Sequence, residues 1–313
     1  MRVSNFKMKL VFSMVLMFVL PLVSLADWDH VGGVNANANV RPGSASFNGL
    51  EYIFFRKTTD GNIGYITTSN VNGGSFSGVT TLSTIANNPE PGAIAFNNKI
   101  FVFYAEGSSP NRLFFRHKGT SGGWSSEFVV PGASTNDRPG LAVYSGKLYI
   151  FWETAGSNNS IRYATLSTGG AISGVSTIPS AQTYRGPAAE VFNNKLYIVY
   201  SEDANPRPQL WYTSMSSSGV WASVQKVGGS PRTSFPPSAT TYGGQLHVYY
   251  AGANDYKLLR KRLYTNGSWS GEEWVASEAN YGGCSSNLFG SKLWLTRTTS
   301  TADFPASIAY LVF

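Results

Sequence analysis

Apolar and polar positions alternate along this chain in short bursts, and the bursts recur. Residues 90–104 read EPGAIAFNNKIFVFY, residues 138–152 read RPGLAVYSGKLYIFW, and residues 186–200 read GPAAEVFNNKLYIVY. Each phrase opens on Pro and a small residue and runs to an aromatic. It then breaks at two residues that tolerate positive φ, and resumes as a run apolar on both faces. The break has the chemistry of a two-residue hairpin turn, and the doubly apolar run reads as a strand buried on both sides. The aromatics that close the first burst are Phe47, Phe96, Tyr144, Phe192, Tyr242 and Phe289, spaced by 49, 48, 48, 50 and 47 residues. A period near 48 residues marks a repeat architecture.

The remaining strands follow from the same register. A third strand is expected over 63–67, 112–116, 161–165, 209–213, 257–261 and 307–311. A fourth is expected around Phe76, Trp124, Ile172, Trp221 and Trp269. Four strands in about 48 residues is the signature of a propeller blade. The sixth unit lacks its fourth strand, but Trp28 precedes Phe47 by 19 residues, as Trp124 precedes Tyr144 by 20. The expectation is an all-β, six-bladed β-propeller with four antiparallel strands per blade. Its ring is closed by the N-terminal strand, which completes the last blade and leaves no unpaired edge. Residues 27–313 then form one domain. Pro42, Pro91, Pro139, Pro187 and Pro237 stand five residues before their anchors, and Cys284 takes that place in the sixth unit, where it reads as a small buried hydrophobe.

Composition adds three limits. Residues 1–26 have a basic start, an apolar core and Ser-Leu-Ala at 24–26, the pattern of a secretory signal. Export is therefore expected, to the periplasm or beyond, with no membrane anchor. Without Arg2, Lys7 and Lys9 the chain holds 21 basic and 17 acidic residues, a net +4. That charge is scattered, which argues against nucleic acid as a partner. The one cluster, KLLRKR at 257–262, reads as a solvated strand edge. A single cysteine excludes an internal disulfide.

Function is then expected in the loops that lead into each inner strand and in those between second and third strands, which share one face. The lead-in loops carry Arg41, Glu90, Asp137, Arg138, Tyr184, Arg185 and Phe235. The second strands end on Tyr104 with Glu106, Trp152 with Glu153, Tyr200 with Glu202, and Arg297. Aromatic rings beside carboxylates and arginines suit sugar recognition: the ring stacks on C–H surface while the charged groups bond hydroxyls. Arg138, Trp152, Glu153, Tyr104, Glu106, Arg185, Tyr200 and Glu202 are the candidate ligand residues. Ordinary rim charges paired with one another are the competing reading. A glycosidase needs two nearby carboxylates, for which Glu90, Asp137 and Glu190 are candidates. Glu190 stands where the other blades carry Ala45, Ile94, Ala142, Thr240 and Asn287, so it lines the axial channel as a catalytic or a merely hydrated acid. His30, His117 and His247 are far apart in register, and no cofactor or metal motif occurs.

In blade cadence, shown by QLHVYYAGANDYKLLRKRLYTNGSW at 245–269, the chain resembles the six-bladed fucose-specific lectins. That family repeats an arginine in the second strand and a glutamate in the third. Here the second-strand position holds Tyr52, Phe101, Tyr149, Tyr197, His247 and Trp294, so the fucose pocket does not carry over. The chain also looks like sialidase-type propellers. Their Ser-x-Asp-x-Gly-x-x-Trp boxes are absent, although Arg41, Arg138, Arg185 and Arg297 are available. The resemblance implies a carbohydrate-binding protein with glycans or glycoproteins as partners. A glycoside hydrolase and a protein-interaction scaffold are the alternatives.

Overall fold

The computed structural model describes residues 29–31, 41–82, 90–106, 111–154, 159–202, 208–233, 235–279, 283–298 and 308–313. The expected signal segment and Trp28 lie outside them. Six four-stranded sheets form, and in five of them the strands pair in chain order. The inner strands are Gly43–Phe47, Gly92–Phe96, Gly140–Tyr144, Ala188–Phe192, Ser238–Tyr242 and Ser285–Phe289. Each ends on the expected aromatic, turns through residues of positive φ such as Asn97 and Asn98, and returns as a seven-residue second strand. The architecture is a six-bladed β-propeller.

The sixth blade joins both ends of the described chain. Its outer strand is Asp29–Val31, paired antiparallel with Ile308–Val312 through Asp29↔Tyr310, His30↔Ala309 and Val31↔Ile308. The ring closes as the register requires, and Ile308–Tyr310 pairs with a strand on both sides.

Six hydrophobic clusters lie between successive blades. Because strand side chains alternate, Tyr52 and Phe54 pack against Ile100 and Val102 of blade 2. Ile53 and Phe55 pack the other way, against Trp294 and Tyr310 of blade 6. Every second strand thus serves two interfaces, which is why it must be apolar throughout. Near the axis the blades touch backbone to backbone. A Cβ on Gly43 would meet the carbonyl oxygen of Pro91 at 2.3 Å, and one on Gly140 would meet that of Pro187 at 2.7 Å. The small residue after each proline is therefore a condition of ring closure.

Two expectations are corrected. Phe76, Trp124, Ile172, Trp221 and Trp269 precede the outer strands, which are Thr80–Leu82, Phe128–Ser134, Ser176–Gln182, Gln225–Lys226 and Glu273–Ala279. The aromatics are wedges onto the preceding blade. Trp124 meets Phe54 and Tyr65 edge-on at 5.7 and 5.8 Å, and Trp221 does the same to Phe151 and Tyr163. Apolar packing between blades, rather than strand pairing, selects these residues. The KLLRKR segment is also not an edge. Lys257–Leu263 lies between Gln245–Ala251 and Glu273–Ala279, and Arg260 and Arg262 both bind Glu273.

One buried group breaks the repeat at the seam between blades 1 and 6. Glu51 is fully buried where the other second strands carry Ile100, Leu148, Leu196, Leu246 and Leu293. Ser46 Oγ and Asn287 Nδ2 donate to its Oε2 at 2.7 and 2.9 Å, and its Oε1 has no protein partner. Burial outweighs those two bonds and pushes the carboxyl up to about 8. The unfolded chain loses this proton near the ordinary value of 4.5, so folding stability falls as pH rises from there to about 8. Glu51→Leu is expected to raise the Tm, and by more at pH 8 than at pH 5. The difference should be of the order of 4 kcal/mol in denaturant titrations at the two pH values.

Candidate functional site

The lead-in loops are held by buried threonines. Thr135, Thr183 and Thr233 are fully buried, and each accepts from the backbone N–H two residues on. The donors are Asp137, Arg185 and Phe235, at 3.2, 3.1 and 3.1 Å. Such turns satisfy the loop backbone without a sheet partner. In blade 3 Glu153 completes the clamp: Thr135 Oγ1 donates to its Oε2 at 2.5 Å and Asn136 N to its Oε1 at 2.7 Å. Glu153 thereby positions Asp137 and Arg138.

These loops bring charge to the axis. Arg41 of blade 1 reaches across the ring, and its Nη1 donates to Pro237 O of blade 5 at 2.9 Å. Arg138 of blade 3 donates to Pro42 O of blade 1, also at 2.9 Å. Glu90 of blade 2 accepts from Arg41 N and faces Arg41 Nε, both at 3.3 Å. Gly186 makes room for this crossing, since a Cβ there would meet Arg138 O at 2.1 Å and Arg41 Nη2 at 3.2 Å. Burial first, then the field of Arg41, lowers the proton affinity of Arg138, although a guanidinium keeps its charge at neutral pH.

Asp137 sits beside this crossing. Its carboxyl is pushed well up, first by burial and then by the negative charge of Glu90 and Glu153; Arg41 and Arg185 offset only part of this. The mouth of the axis therefore holds Asp137, kept toward its neutral form, in the field of Glu90 from the adjoining blade. Arg185 and Tyr184 stand exposed at its rim, Tyr184 at 61%. Cys284 lies buried beneath, in the field of Arg138, Arg41 and Arg297.

Below the mouth runs a cavity of about 260 Å³ lined by the small side chains of the inner strands, among them Ser44, Ala189, Thr240 and Ser286. Glu190 lines it as expected, and burial pushes its carboxyl up to about 7 against hydrogen bonds from Val191 and Thr241. Glu190 is three residues past Pro187, whereas Glu90 is one residue before Pro91. Four register steps separate them, roughly 13 Å along the strands. That exceeds the carboxylate separation either glycosidase geometry uses. The acid that accompanies Glu90 is Asp137.

Of the candidate ligand residues, the structure gathers Arg138, Glu153 and Arg185 at the mouth. Tyr104, Trp152 and Tyr200 are buried between blades and present no ring to the loop face. Glu106 pairs with Arg112 at 2.9 Å on the rim, and Glu202 accepts from Trp211 Nε1 at 2.7 Å. The buried threonines were not singled out from the sequence. Their signal is a Thr four residues before the blade proline, as in Thr135–Pro139, Thr183–Pro187 and Thr233–Pro237. Among the described residues, no three of His, Cys, Asp and Glu group as metal ligands.

No protein-family model matches the chain, and no curated protein matches it in sequence. Solved structures match in fold. AofleA from Arthrobotrys oligospora superposes with a TM-score of 0.59 at 16% identity, over 92% of this chain and 86% of its own. The subtype N11 neuraminidase-like protein of A/flat-faced bat/Peru/033/2010 (H18N11) gives 0.59 at 9% identity, over 92% and 93%. The α-L-arabinofuranosidase CtGH43 of Clostridium thermocellum gives 0.52 at 15% identity, over 79% and 97%.

The arginines of the mouth divide by burial. Arg41→Ala leaves Glu90 without its counter-charge and empties the crossing, so a loss of about 3 kcal/mol or more is expected. Arg185→Ala removes an exposed side chain and should change stability by no more than about 0.5 kcal/mol. Urea unfolding of the two variants checks both values.

Proposed function

We propose that this protein is an exported, non-catalytic carbohydrate-binding propeller that takes a glycan at the axial mouth of its loop face. The observation that carries this reading is the meeting of Glu90, Asp137, Arg138 and Arg185 from three neighbouring blades, with the Tyr184 ring exposed beside them. Carboxylates and guanidinium forks bond paired hydroxyls, and an exposed tyrosine offers a face to sugar C–H groups. Threonine turns and the Glu153 clamp hold these groups in place before any ligand arrives, which limits the ordering entropy of binding. The shared fold with an arabinofuranosidase and a neuraminidase-like protein is consistent with a sugar ligand.

A hydrolase is the second reading, favoured by one feature. Asp137 is held toward its neutral form beside Glu90, an arrangement that can serve as a general acid and its partner. The two readings separate in one pair of measurements. On a glycan array the wild-type chain should bind a restricted set of glycans, and Arg185→Ala and Tyr184→Ala should each weaken binding about tenfold at unchanged Tm. Arg112→Ala, on the distant rim, should leave binding intact. Turnover of a panel of 4-nitrophenyl glycosides that is lost in Asp137→Asn would establish the hydrolase instead. An empty array without turnover would remove both readings.

A further inference from the structure

The geometry points to a second ligand site, between blades 2 and 3 at the end of the propeller away from the axial mouth, that takes a planar aromatic ring bearing a carboxylate. It begins with a missing wedge. Ile172 bridges to Leu166 just as Trp221 bridges to Met215 and Trp269 to Leu263, so Ile172 occupies the wedge position of blade 3. Elsewhere the wedge lays a ring on the preceding blade: Trp124 on Tyr65, Trp221 on Tyr163, Trp269 on Tyr212 and Phe76 on Tyr310. Among the described residues it is aliphatic only at Ile172. The ring that would have received it, Phe115, instead lines a cavity of about 270 Å³.

Blade 2 departs from its neighbours at the same place. Phe128 pairs with Phe115 on the outer strand, where the equivalent residues are Thr80, Ser176, Gln225 and Glu273. His117 stands where Thr67, Thr165 and Ser214 stand in blades 1, 3 and 4. Phe115 stacks on Phe128 at 5.3 Å, and His117 lies parallel to Phe128 at 5.7 Å and 9°. Phe101 closes the inner side, 6.1 Å from Phe115 and 5.4 Å from His117. The rim is tied across the blades by Asn97 Nδ2, which donates to Thr168 O at 3.0 Å. Phe128 is 43% exposed, so one aromatic wall faces incoming ligand.

Lys99 is the charged residue of this lining, and no lining residue is acidic. Burial and the nearby Lys99 hold His117 below its ordinary value, which leaves it neutral at neutral pH. A flat ring can lie on the face of Phe115 that the missing wedge leaves uncovered, between it and the 166–170 turn, and a carboxylate on it meets the ammonium of Lys99. The lining offers no carboxylate to bond paired hydroxyls of a polyhydroxylated ligand. Lysine also follows the hairpin in blades 3, 4 and 6, but its setting differs. Between blades 4 and 5, where Trp269 is present, the matching space is about 180 Å³ and its outer wall is Gln225, bonded to Tyr212.

The test is calorimetric titration of the full chain with 2-naphthoate and with 2-naphthylmethylammonium, which differ in the sign of their charge. The wild-type chain should bind the anion about tenfold more tightly than the cation. Lys99→Met should remove that preference, and Ile172→Trp, which restores the wedge, should abolish binding of both. Phe128→Ser installs the residue of blade 3 at an exposed position and should weaken the anion about fivefold, which keeps the test decisive if Ile172→Trp misfolds. Absence of naphthoate binding overturns the proposal. So does binding that survives both Ile172→Trp and Phe128→Ser, or displacement of naphthoate by neutral monosaccharides. None of these outcomes bears on the axial mouth, where Arg185 and Tyr184 decide.

Discussion

Everything in this molecule is arranged around a contact between backbones. At the axis of blades 1 to 3, the next blade's proline carbonyl lies where a Cβ on Gly43, Gly92 or Gly140 would have to stand. Six inner strands can converge only if the residue at this place is Gly, Ala or Ser, and only if the next blade arrives at the same angle. The hydrophobic clusters between blades supply the driving force, at about 1.5–3 kcal/mol for each large side chain fully buried. The backbone contact decides how close they may come. It also decides what remains inside: a channel lined mainly by small side chains, into which Glu190 projects as its acid.

That constraint explains why the fold was legible from sequence. Proline, a small residue, an aromatic and a positive-φ turn are local requirements, each written at fixed offsets in Phe47, Phe96, Tyr144 and their counterparts. Closure was legible because a missing strand at one end left a matching surplus at the other. The wedge aromatics were misassigned because periodicity reports position along the chain and not the neighbour a side chain faces. Trp124 and Trp221 fit a strand register while serving the adjacent blade. The candidate site was half legible for the same reason. Arg138, Arg185, Glu90 and Glu153 were placed on the right face by counting. Trp152, Tyr104 and Tyr200 were counted onto it as well, although the inter-blade cores claim their rings. A large aromatic at a strand end is taken by whichever apolar volume is unfilled, and no single-chain pattern reveals that volume.

The mouth shows how buried charge becomes tolerable in such a ring. Arg41 and Arg138 lie almost wholly out of water, where an isolated cation would cost several kcal/mol. Each is met by a proline carbonyl on another blade, an acceptor whose own residue has no N–H to offer. The prolines that shape the inner strands thus double as acceptors for the arginines that cross them. Because the donors and acceptors come from different blades, the crossing forms only when the ring is complete. It links the geometry of the mouth to global folding rather than to any single loop.

Repetition also tells where to look for chemistry. A residue shared by all blades answers to the packing they share, whereas a residue peculiar to one blade answers to something local. Glu51 and Glu190 are acids at positions that are apolar or uncharged elsewhere, and burial holds both above the ordinary carboxylate range. Ile172, Phe128 and His117 depart from the pattern at one interface. Glu90, Asp137 and Arg185 differ from blade to blade on one face. These departures fall in separate places: the closure seam, the channel, one blade interface and the mouth. A ring of identical repeats would bind equivalently at every interface. This one diverges unevenly, and the two surfaces proposed for ligands differ in chemistry because each lies where the repeat fails.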